Sequence, residues 1–250
     1  MKKQLLLPII SPFNENKVDK LSLQRLVEHC SAVDIFIPCL SSGEGGKLSK
    51  TEWIAVVRTV RAATKKPVYA GILKPTEEIE DYISIAADIG CDGIVLPIGE
   101  LSRSRADRCI LYSQQNELNV IFYNTEYHPV KDVAYLKQIA AYENVVGFKD
   151  STMDAHFFRE LRIAAAGTMA VYQGMEMSIS AEQEVDGYCI ALANVEPQLC
   201  AALRDGDAGF DWAAFKKMIQ QYNLPSSTWY ITLKALLYAR GVITSAEEHA

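Results

Sequence analysis

Short apolar runs alternate with longer amphipathic stretches along the whole chain. The apolar runs are five to seven residues long, which is typical of β-strands. In the stretches between them, apolar residues recur at the three- and four-residue spacing of a helix with one buried face. The pattern predicts eight strands, at 5–10, 34–40, 67–72, 93–97, 119–124, 145–149, 168–174 and 187–192.

A predicted helix follows every strand, and two further helices complete the chain. Ser49, with Glu52 three residues later, has the spacing of a capping box, which indicates where the second helix begins. The helices are expected at 20–32, 49–63, 76–90, 102–116, 131–142, 154–166, 178–185, 196–204, 210–222 and 226–240.

Repeated strand–helix units predict an α/β fold with parallel strands. Eight such units within 205 residues favour closure into a (β/α)8 TIM barrel, with an open doubly wound sheet as the alternative. We expect residues 1–205 to form the barrel and residues 206–250 to form a C-terminal helical extension packed on it, so that the chain is a single domain overall.

The composition is that of a soluble globular protein. Of 250 residues, 49% are hydrophobic and 22% are charged, and the formal net charge is −6, so neither nucleic acid nor a membrane is expected as a partner. No run has transmembrane length, and Pro8 breaks the first apolar run, which argues for a strand and against a signal peptide. The six scattered cysteines suit a cytoplasmic protein, and no metal-ligand spacing is present, so no cofactor is expected.

In a (β/α)8 barrel the functional groups lie at the carboxyl ends of the strands. The sixth predicted strand ends in Lys149 and the fifth in Tyr123-Asn124. Side chains alternate along a strand and neighbouring strands lie ~4.8 Å apart, so Tyr123 and Lys149 can face each other. Burial lowers the pKa of a lysine and leaves a free amine that can attack a carbonyl, while a phenol can move protons. The alternatives are a solvated lysine and a merely packed tyrosine.

The second predicted strand ends in a turn rich in hydroxyl groups and glycine, Ser41-Ser42-Gly43-Glu44. The amides and hydroxyls of such a turn can bind an anion, although a tight turn without a ligand is an equally good interpretation. The eighth predicted strand and the two residues after it form the segment 187–194, whose backbone can line a pocket.

Together these strand ends resemble the dihydrodipicolinate synthase / N-acetylneuraminate lyase family of class I, Schiff-base aldolases. Four segments carry the resemblance, and they occur in the family's order. Ser11-Pro12-Phe13 is similar to T-P-F, and residues 41–44 with Leu48, Ser49 and Glu52 are similar to G-T-T-G-E…L-S…E. Tyr123-Asn124 is similar to Y-N, and residues 147–151 (Gly-Phe-Lys-Asp-Ser) are similar to G-I-K-D-S around the Schiff-base lysine.

The resemblance implies a carbon–carbon lyase that acts on a pyruvate-type 2-oxo acid and an aldehyde, and that forms a homo-oligomer, a dimer or tetramer. It places the substrate carboxylate on Ser41, Ser42 and Gly43, and the iminium on Lys149. Tyr123, hydrogen-bonded through Ser42, is the implied proton shuttle. Cys189 falls where the family presents a backbone carbonyl to the bound keto acid.

The chain also departs from the family's pattern. Leu40 replaces the first glycine of the G-T-T-G-E block, and Ile98-Gly99 replace paired aromatics of which one reaches a neighbouring subunit. His128 stands where the synthases have an arginine that grips the aldehyde's carboxylate, and a neutral imidazole is a poor substitute for a guanidinium. His128 then contacts a different acceptor or is an exposed loop residue. The alternatives are a true 4-hydroxy-tetrahydrodipicolinate synthase, a 2-oxo-acid dehydratase and a non-catalytic 2-oxo-acid binding protein.

Overall fold

Eight parallel strands form a nearly closed barrel surrounded by helices, which confirms the predicted (β/α)8 fold. The computed structural model describes residues 2–249; Met1 and Ala250, the outer limits of the two expected segments, lie outside the described residues. The barrel strands are β1 Gln4–Pro8, β2 Ile35–Ile37, β3 Tyr69–Gly71, β4 Gly93–Pro97, β5 Asn119–Asn124, β6 Val145–Asp150, β7 Ala170–Gln173 and β8 Gly187–Cys189.

Hydrogen-bonded strands follow one another around the barrel in the order β2-β1-β8-β7-β6-β5-β4-β3. A parallel bridge between Phe36 and Val68 joins the two ends of this order and closes the barrel. A short hairpin of Phe13–Asn14 and Lys17–Val18 follows β1. Closure brings the carboxyl ends of all eight strands to one rim, where residues distant in sequence meet.

The outer layer consists of nine α-helices among the described residues. Ser49 caps α2 with the predicted capping box, in which its side chain accepts from the Glu52 amide and the Glu52 side chain accepts from the Ser49 amide. The helices are α1 Lys20–His29, α2 Lys50–Ala63, α3 Ile79–Ile89, α4 Arg103–Gln115, α5 Val133–Ile139, α6 Ala155–Ala164, α7 Pro197–Asp205, α8 Trp212–Gln221 and α9 Trp229–Ala239.

The helix expected at 178–185 is wrong. The chain makes one 3-10 turn at Glu176–Ser178 and then runs irregularly to β8. Ile179 and Val185 are both 4% exposed, but they are six residues apart and would lie on different sides of a helix. An irregular path buries both side chains, whereas a helix would expose one of them.

Side chains fill the barrel interior below the rim. Gly147 on β6 leaves room for the ring of Tyr172, since a Cβ there would lie 2.6 Å from a ring carbon. The Tyr172 hydroxyl donates to Oε1 of Gln4 at 2.7 Å. The interior cluster therefore closes the barrel from below and leaves open volume at the carboxyl rim; its members are Leu6, Ile35, Ile37, Leu40, Tyr69, Val95, Ile121, Tyr172 and Cys189.

A second and larger apolar core lies between the strands and the helices. Phe215 of α8 and Leu233 of α9 are fully buried in it, so the C-terminal helices pack directly on the barrel. Within residues 2–249, no helix combines the length and the apolar character needed to cross a membrane.

Candidate active site

Lys149 lies at the carboxyl rim of the barrel, in β6, and its side chain is almost completely buried, with 6% of the residue exposed. It lines a cavity of about 430 Å³ at the mouth of the barrel. Gly174, just after β7, gives the lysine its space, since a Cβ at this glycine would lie 2.8 Å from Cε of Lys149. The lysine therefore points into a cavity at the barrel mouth that a small substrate can enter.

Tyr123 is the neighbour of Lys149 on the adjacent strand. The two residues are register partners of β5 and β6, and Nζ of Lys149 lies over the tyrosine ring, 4.1 Å from its centroid. Both side chains line the same cavity. The structure therefore brings this predicted pair together, in the orientation that strand alternation indicates.

The charge state of Lys149 differs from the one expected from burial alone. Burial is the largest influence on the ammonium and lowers its pKa, but electrostatic interactions with the ionisable groups of Tyr123, Cys189 and Glu176 act in the opposite direction, and the pKa lies above its ordinary value. The expectation of a free amine is thus corrected, because it took no account of the acidic groups that the fold places around the lysine. At neutral pH the resting amine is protonated and must lose a proton before it attacks a carbonyl.

Glu176 was not singled out in the sequence, although it follows the end of β7 and the strand-end rule would have found it. It is 7% exposed, lines the cavity, and accepts a hydrogen bond from the Leu192 amide at 3.0 Å. Burial raises the pKa of its carboxyl group. Glu176 is therefore a buried carboxylate that can take up and return a proton beside Lys149.

Replacing Glu176 with glutamine is expected to lower the pKa of Lys149, because one of the negative charges that raise it is lost. The pH at which adduct formation with pyruvate reaches half its maximal rate should shift to lower values. Borohydride trapping across a pH series measures this shift. Glu126→Gln, which removes an exposed carboxylate at the same cavity, is the matched control and should leave the profile in place. An identical profile for Glu176→Gln and the unmodified protein would contradict the assignment.

The turn after β2 forms the wall opposite the lysine. Ser41 and Ser42 both line the cavity and begin a 3-10 turn, Ser41–Gly43. The buried Ser42 hydroxyl donates to the carbonyl oxygen of Pro8 at 2.6 Å. The expected hydrogen bond from this hydroxyl to Tyr123 is therefore not the one observed, because its proton is directed to the backbone of β1.

Gly43 lies behind the two serines and does not line the cavity. A Cβ at this position would lie 2.9 Å from the carbonyl oxygen of Ile9, so the turn can approach β1 only with glycine here. Cys189, at the end of β8, is fully buried and lines the cavity. Burial raises the pKa of its thiol to about 11, so the thiol is neutral and its backbone is the group available to a ligand.

His128 is not brought to the Lys149 cavity. It lines a neighbouring cavity of about 540 Å³, together with Lys74. Its ring is 62% exposed and its Nε2 lies 3.5 Å from Oε1 of Glu100. The two cavities adjoin, since Ser41, Tyr123, Thr125 and Tyr127 border both of them.

Two further groups at the cavity were missed in the sequence. The Ser151 hydroxyl is buried without a hydrogen-bond partner among the described residues, although it stands only two positions after Lys149. Trp229 and Tyr230, at the start of α9, also line the cavity. Nothing in the strand pattern points to them, because they come from the C-terminal extension.

Asp150 follows Lys149 and faces the other side of β6. Its carboxylate accepts hydrogen bonds from Asn124 Nδ2 and Thr152 Oγ1, each at 3.0 Å. Burial raises its pKa to about 6, above the value of the unfolded chain. The contribution of this group to stability is therefore complete below about pH 4 and is lost as the pH rises through about 6.

Asp150→Asn is expected to remove this loss of stability at rising pH, because the amide does not titrate. Between pH 4.5 and 7.5 the free energy of unfolding of the unmodified protein should fall by about 2 kcal/mol relative to the variant, which is the larger part of what a shift of about two pKa units contributes. Urea unfolding of both proteins across this range measures the difference. Asp154→Asn is the control. Hydrogen bonding to Lys131 lowers the pKa of Asp154 to about 2, so the difference in unfolding free energy between the unmodified protein and Asp154→Asn should not change with pH in this range. A flat difference for Asp150→Asn as well would show that its carboxyl does not titrate in this range.

Among residues 2–249, no group of three or more His, Cys, Asp or Glu side chains is arranged to hold a metal ion. All six cysteines are buried and free. The groups at the cavity that can react or move protons thus include an amine, phenols, carboxyl groups and hydroxyls. This set can form an imine with a carbonyl compound and move protons around it.

Comparison with known proteins identifies related sequences over most of the chain. A family model described as the dihydrodipicolinate synthetase family matches residues 1–248. The 4-hydroxy-tetrahydrodipicolinate synthase of Ruegeria pomeroyi is 27% identical over 218 residues, which cover 82% of this chain and 75% of that protein. The 4-hydroxy-tetrahydrodipicolinate synthase 2 of Clostridium acetobutylicum is 26% identical over 185 residues, 68% of this chain and 63% of that protein, so the match spans less than two thirds of the Clostridium enzyme.

Solved structures show how far the architecture is shared. The dihydrodipicolinate synthase of Bacteroides thetaiotaomicron superposes with a TM-score of 0.85 at 22% identity, covering 100% of this chain and 92% of that one. The sialic acid aldolase of Ruminococcus gnavus gives a TM-score of 0.85 at 17% identity, covering 99% and 90%. At these identities the likeness shows the fold. With the family match over nearly all of its length, the chain belongs to the dihydrodipicolinate synthetase family, which confirms the resemblance predicted from its strand ends and the expected class of enzyme, a pyruvate-dependent carbon–carbon lyase.

Proposed function

We propose that this protein is a Schiff-base aldolase or lyase that condenses a pyruvate-type 2-oxo acid with an uncharged aldehyde, or cleaves the product, through Lys149. The observation that carries the proposal is the position of the Lys149 amine, 4.1 Å from the centre of the Tyr123 ring and inside a cavity whose opposite wall is the Ser41–Ser42 turn.

Lys149 starts the reaction after it has given a proton to the Glu176 carboxylate. Its amine adds to the C2 carbonyl of the 2-oxo acid, and loss of water leaves an iminium. Tyr123 gives its hydroxyl proton to the departing water, the iminium withdraws electrons from C3, and the tyrosine oxygen then takes the proton that leaves the methyl group, so that an enamine forms. The enamine carbon then attacks the aldehyde carbon, and the new alkoxide takes a proton from the Tyr123 hydroxyl. Water adds to the iminium and gives a proton back to the Tyr123 oxygen, collapse of the carbinolamine releases the product and the Lys149 amine, and Glu176 returns its proton to that amine.

The carboxylate of the 2-oxo acid is assigned to the turn after β2. The hydroxyls of Ser41 and Ser42 supply donors, and Gly43 allows the turn to lie close to β1. The Ser42 hydroxyl has to rotate away from the Pro8 carbonyl to reach the ligand. The backbone carbonyl at Cys189 is the acceptor proposed on the other side of the cavity.

The charges around the cavity set the class of acceptor. Among the described residues that line it, Lys149 is the one cation, while Glu126 and Glu176 carry carboxyl groups. A second carboxylate on the aldehyde would meet these groups without a partner, which is unfavourable for an anion. His128, the candidate contact for an acceptor, borders the other cavity. An uncharged aldehyde therefore fits better than aspartate semialdehyde, although the named relatives are 4-hydroxy-tetrahydrodipicolinate synthases.

Reductive trapping tests the chemistry. The protein is incubated with pyruvate and borohydride and digested, and the peptides are analysed by mass spectrometry. A reduced pyruvate adduct on Lys149 is expected, and the absence of any adduct over a range of pH and pyruvate concentration would overturn the proposal.

An aldehyde panel tests the acceptor. With pyruvate present, uncharged aldehydes such as glyceraldehyde or benzaldehyde should be consumed faster than aspartate semialdehyde. Faster turnover of aspartate semialdehyde would instead establish the synthase activity and refute the charge argument. Adduct formation without turnover of any aldehyde would support a binding protein.

The proposal also includes a cytoplasmic location and a homo-oligomer. Six unpaired, buried cysteines are consistent with a reducing compartment. Family membership supports self-association, but one related structure is described as a monomeric dihydrodipicolinate synthase variant, so assembly varies among similar proteins. Sedimentation velocity of the purified protein decides between a monomer, a dimer and a tetramer.

A further inference from the structure

A buried ion pair joins the turn after β2 to the last helix. Lys234 in α9 is completely buried, and its Nζ donates a hydrogen bond to Oε1 of Glu44, whose side chain is 2% exposed. The same Nζ donates to the carbonyl oxygen of Glu247 at 2.9 Å and lies 4.7 Å from the centroid of the Phe13 ring. Burial lowers the pKa of Lys234, and the Glu44 carboxylate opposes that shift. Each member of the pair is therefore too deeply buried to be solvated by water in the absence of the other.

Glu44 closes the turn in a conformation that is unfavourable for most residues. It follows the 3-10 turn Ser41–Gly43 with φ of 53°, in the left-handed region, and Cys39 just before the turn has φ of 64°. A side chain with a Cβ is strained in this region, and the conformation persists only where surrounding contacts hold it. The buried carboxylate of Glu44 provides such contacts on one side of the turn.

The other end of the pair is attached to a second wall of the cavity. Tyr230, which lines the cavity, lies four residues before Lys234 and thus one helical turn away in α9. Lys234 itself does not line the cavity. The ion pair therefore connects the turn that contains Ser41 and Ser42 with the helix that contains Tyr230.

We propose that Lys234 is a positioning residue, which holds Ser41 and Ser42 through Glu44 in the geometry that binds the carboxylate of the 2-oxo acid. It acts on substrate binding without contacting the substrate. This inference rests on the proposed function, because it requires that the turn binds that carboxylate.

The test compares the pyruvate dependence of adduct formation at Lys149 in Lys234→Met and in the unmodified protein. The pyruvate concentration that gives half the maximal trapping rate should rise about tenfold or more, while the maximal rate changes less than about twofold, since the reacting groups stay in place. If the role of Lys234 were purely structural, the variant would contain less folded protein, and its maximal rate would fall without a rise in the half-saturating pyruvate concentration. Circular dichroism at the assay temperature checks folding.

Lys47→Met is the matched control. Lys47 contacts the other oxygen of the same carboxylate at 3.4 Å, but its side chain is 49% exposed. Its loss leaves the buried pair intact, and we expect an unchanged half-saturation for pyruvate. A rise equal to that of Lys234→Met would show that net charge near the turn matters and not the buried tether, and would overturn the inference.

Glu44→Gln keeps the shape of the side chain and gives a second route if Lys234→Met does not fold. It should raise the half-saturation for pyruvate in the same direction, and the rise in the double variant should be smaller than the product of the two single rises, because both changes break the Lys234–Glu44 contact. A rise equal to that product would contradict a single shared contact.

The outcomes separate the inference from the proposed function. No adduct in the unmodified protein overturns both. An adduct in the unmodified protein, with the same half-saturation in folded Lys234→Met or Glu44→Gln, overturns the positioning role alone.

Discussion

Replacing Lys149 with methionine is expected to abolish adduct formation with pyruvate and to reduce turnover of any aldehyde by more than about 10³-fold, because methionine has a similar length and no nucleophile. The fold should tolerate the change, since it removes a buried charge from the barrel mouth and leaves a flexible apolar side chain there. Mass spectrometry after borohydride treatment measures the adduct, and thermal unfolding checks the fold.

Lys74→Met is the matched control for this variant. Lys74 also lies at the carboxyl rim, but it borders the neighbouring cavity, and its Nζ donates to the carbonyl oxygens of Leu48 and, at 3.4 Å, of Gly46. This variant should retain the Lys149 adduct. If Lys149→Met kept a pyruvate adduct at another residue together with undiminished turnover, the nucleophile would have been assigned to the wrong lysine.

The second large effect is expected for Tyr123→Phe. The ring over which Nζ of Lys149 lies is retained, so the lysine should keep its position, whereas the hydroxyl that exchanges protons with the reacting oxygen is lost. General acid–base catalysis contributes about 10²- to 10⁴-fold, and kcat should fall within this range while the KM for pyruvate changes little. Steady-state kinetics with the best aldehyde of the panel give both constants.

Tyr127→Phe provides the comparison for the loss of a phenol. Tyr127 also lines the cavity but is 76% exposed. Its hydroxyl has no assigned step, so kcat should change less than about threefold, as for an ordinary surface substitution. Equal losses in the two variants would assign the effect to the polarity of the cavity mouth, and no loss in Tyr123→Phe would remove this tyrosine from the mechanism.

The corrected pKa of Lys149 changes how the mechanism works. An amine with a depressed pKa would be ready to attack, whereas an amine whose pKa is raised by acidic neighbours must first transfer its proton. The buried Glu176, which the fold places in the same cavity, supplies a site for that proton. The rate of adduct formation should therefore increase with pH, and it should respond to changes at Glu176.

Several features of the fold could be predicted from local patterns. Alternation of side chains along β5 and β6 placed Tyr123 and Lys149 on one face, and the register of the two strands makes them neighbours. The capping box at Ser49 and Glu52 was predicted from four consecutive residues. The helix at 178–185 failed because its polarity pattern was compatible with a helix, and only packing against the barrel showed that two buried side chains required an irregular path.

The amino-acid sequence by itself determined the number and order of the strand–helix units, the residues at the strand ends and the family, because each of these follows from periodicities and motifs within a few consecutive residues. Tertiary structure alone decided which charges surround Lys149, that His128 borders a different cavity, and that Lys234 pairs with Glu44. Those relations join residues up to 190 positions apart in the chain. They depend on how the barrel closes and how α9 packs on it, and no local pattern encodes the distance between two such side chains.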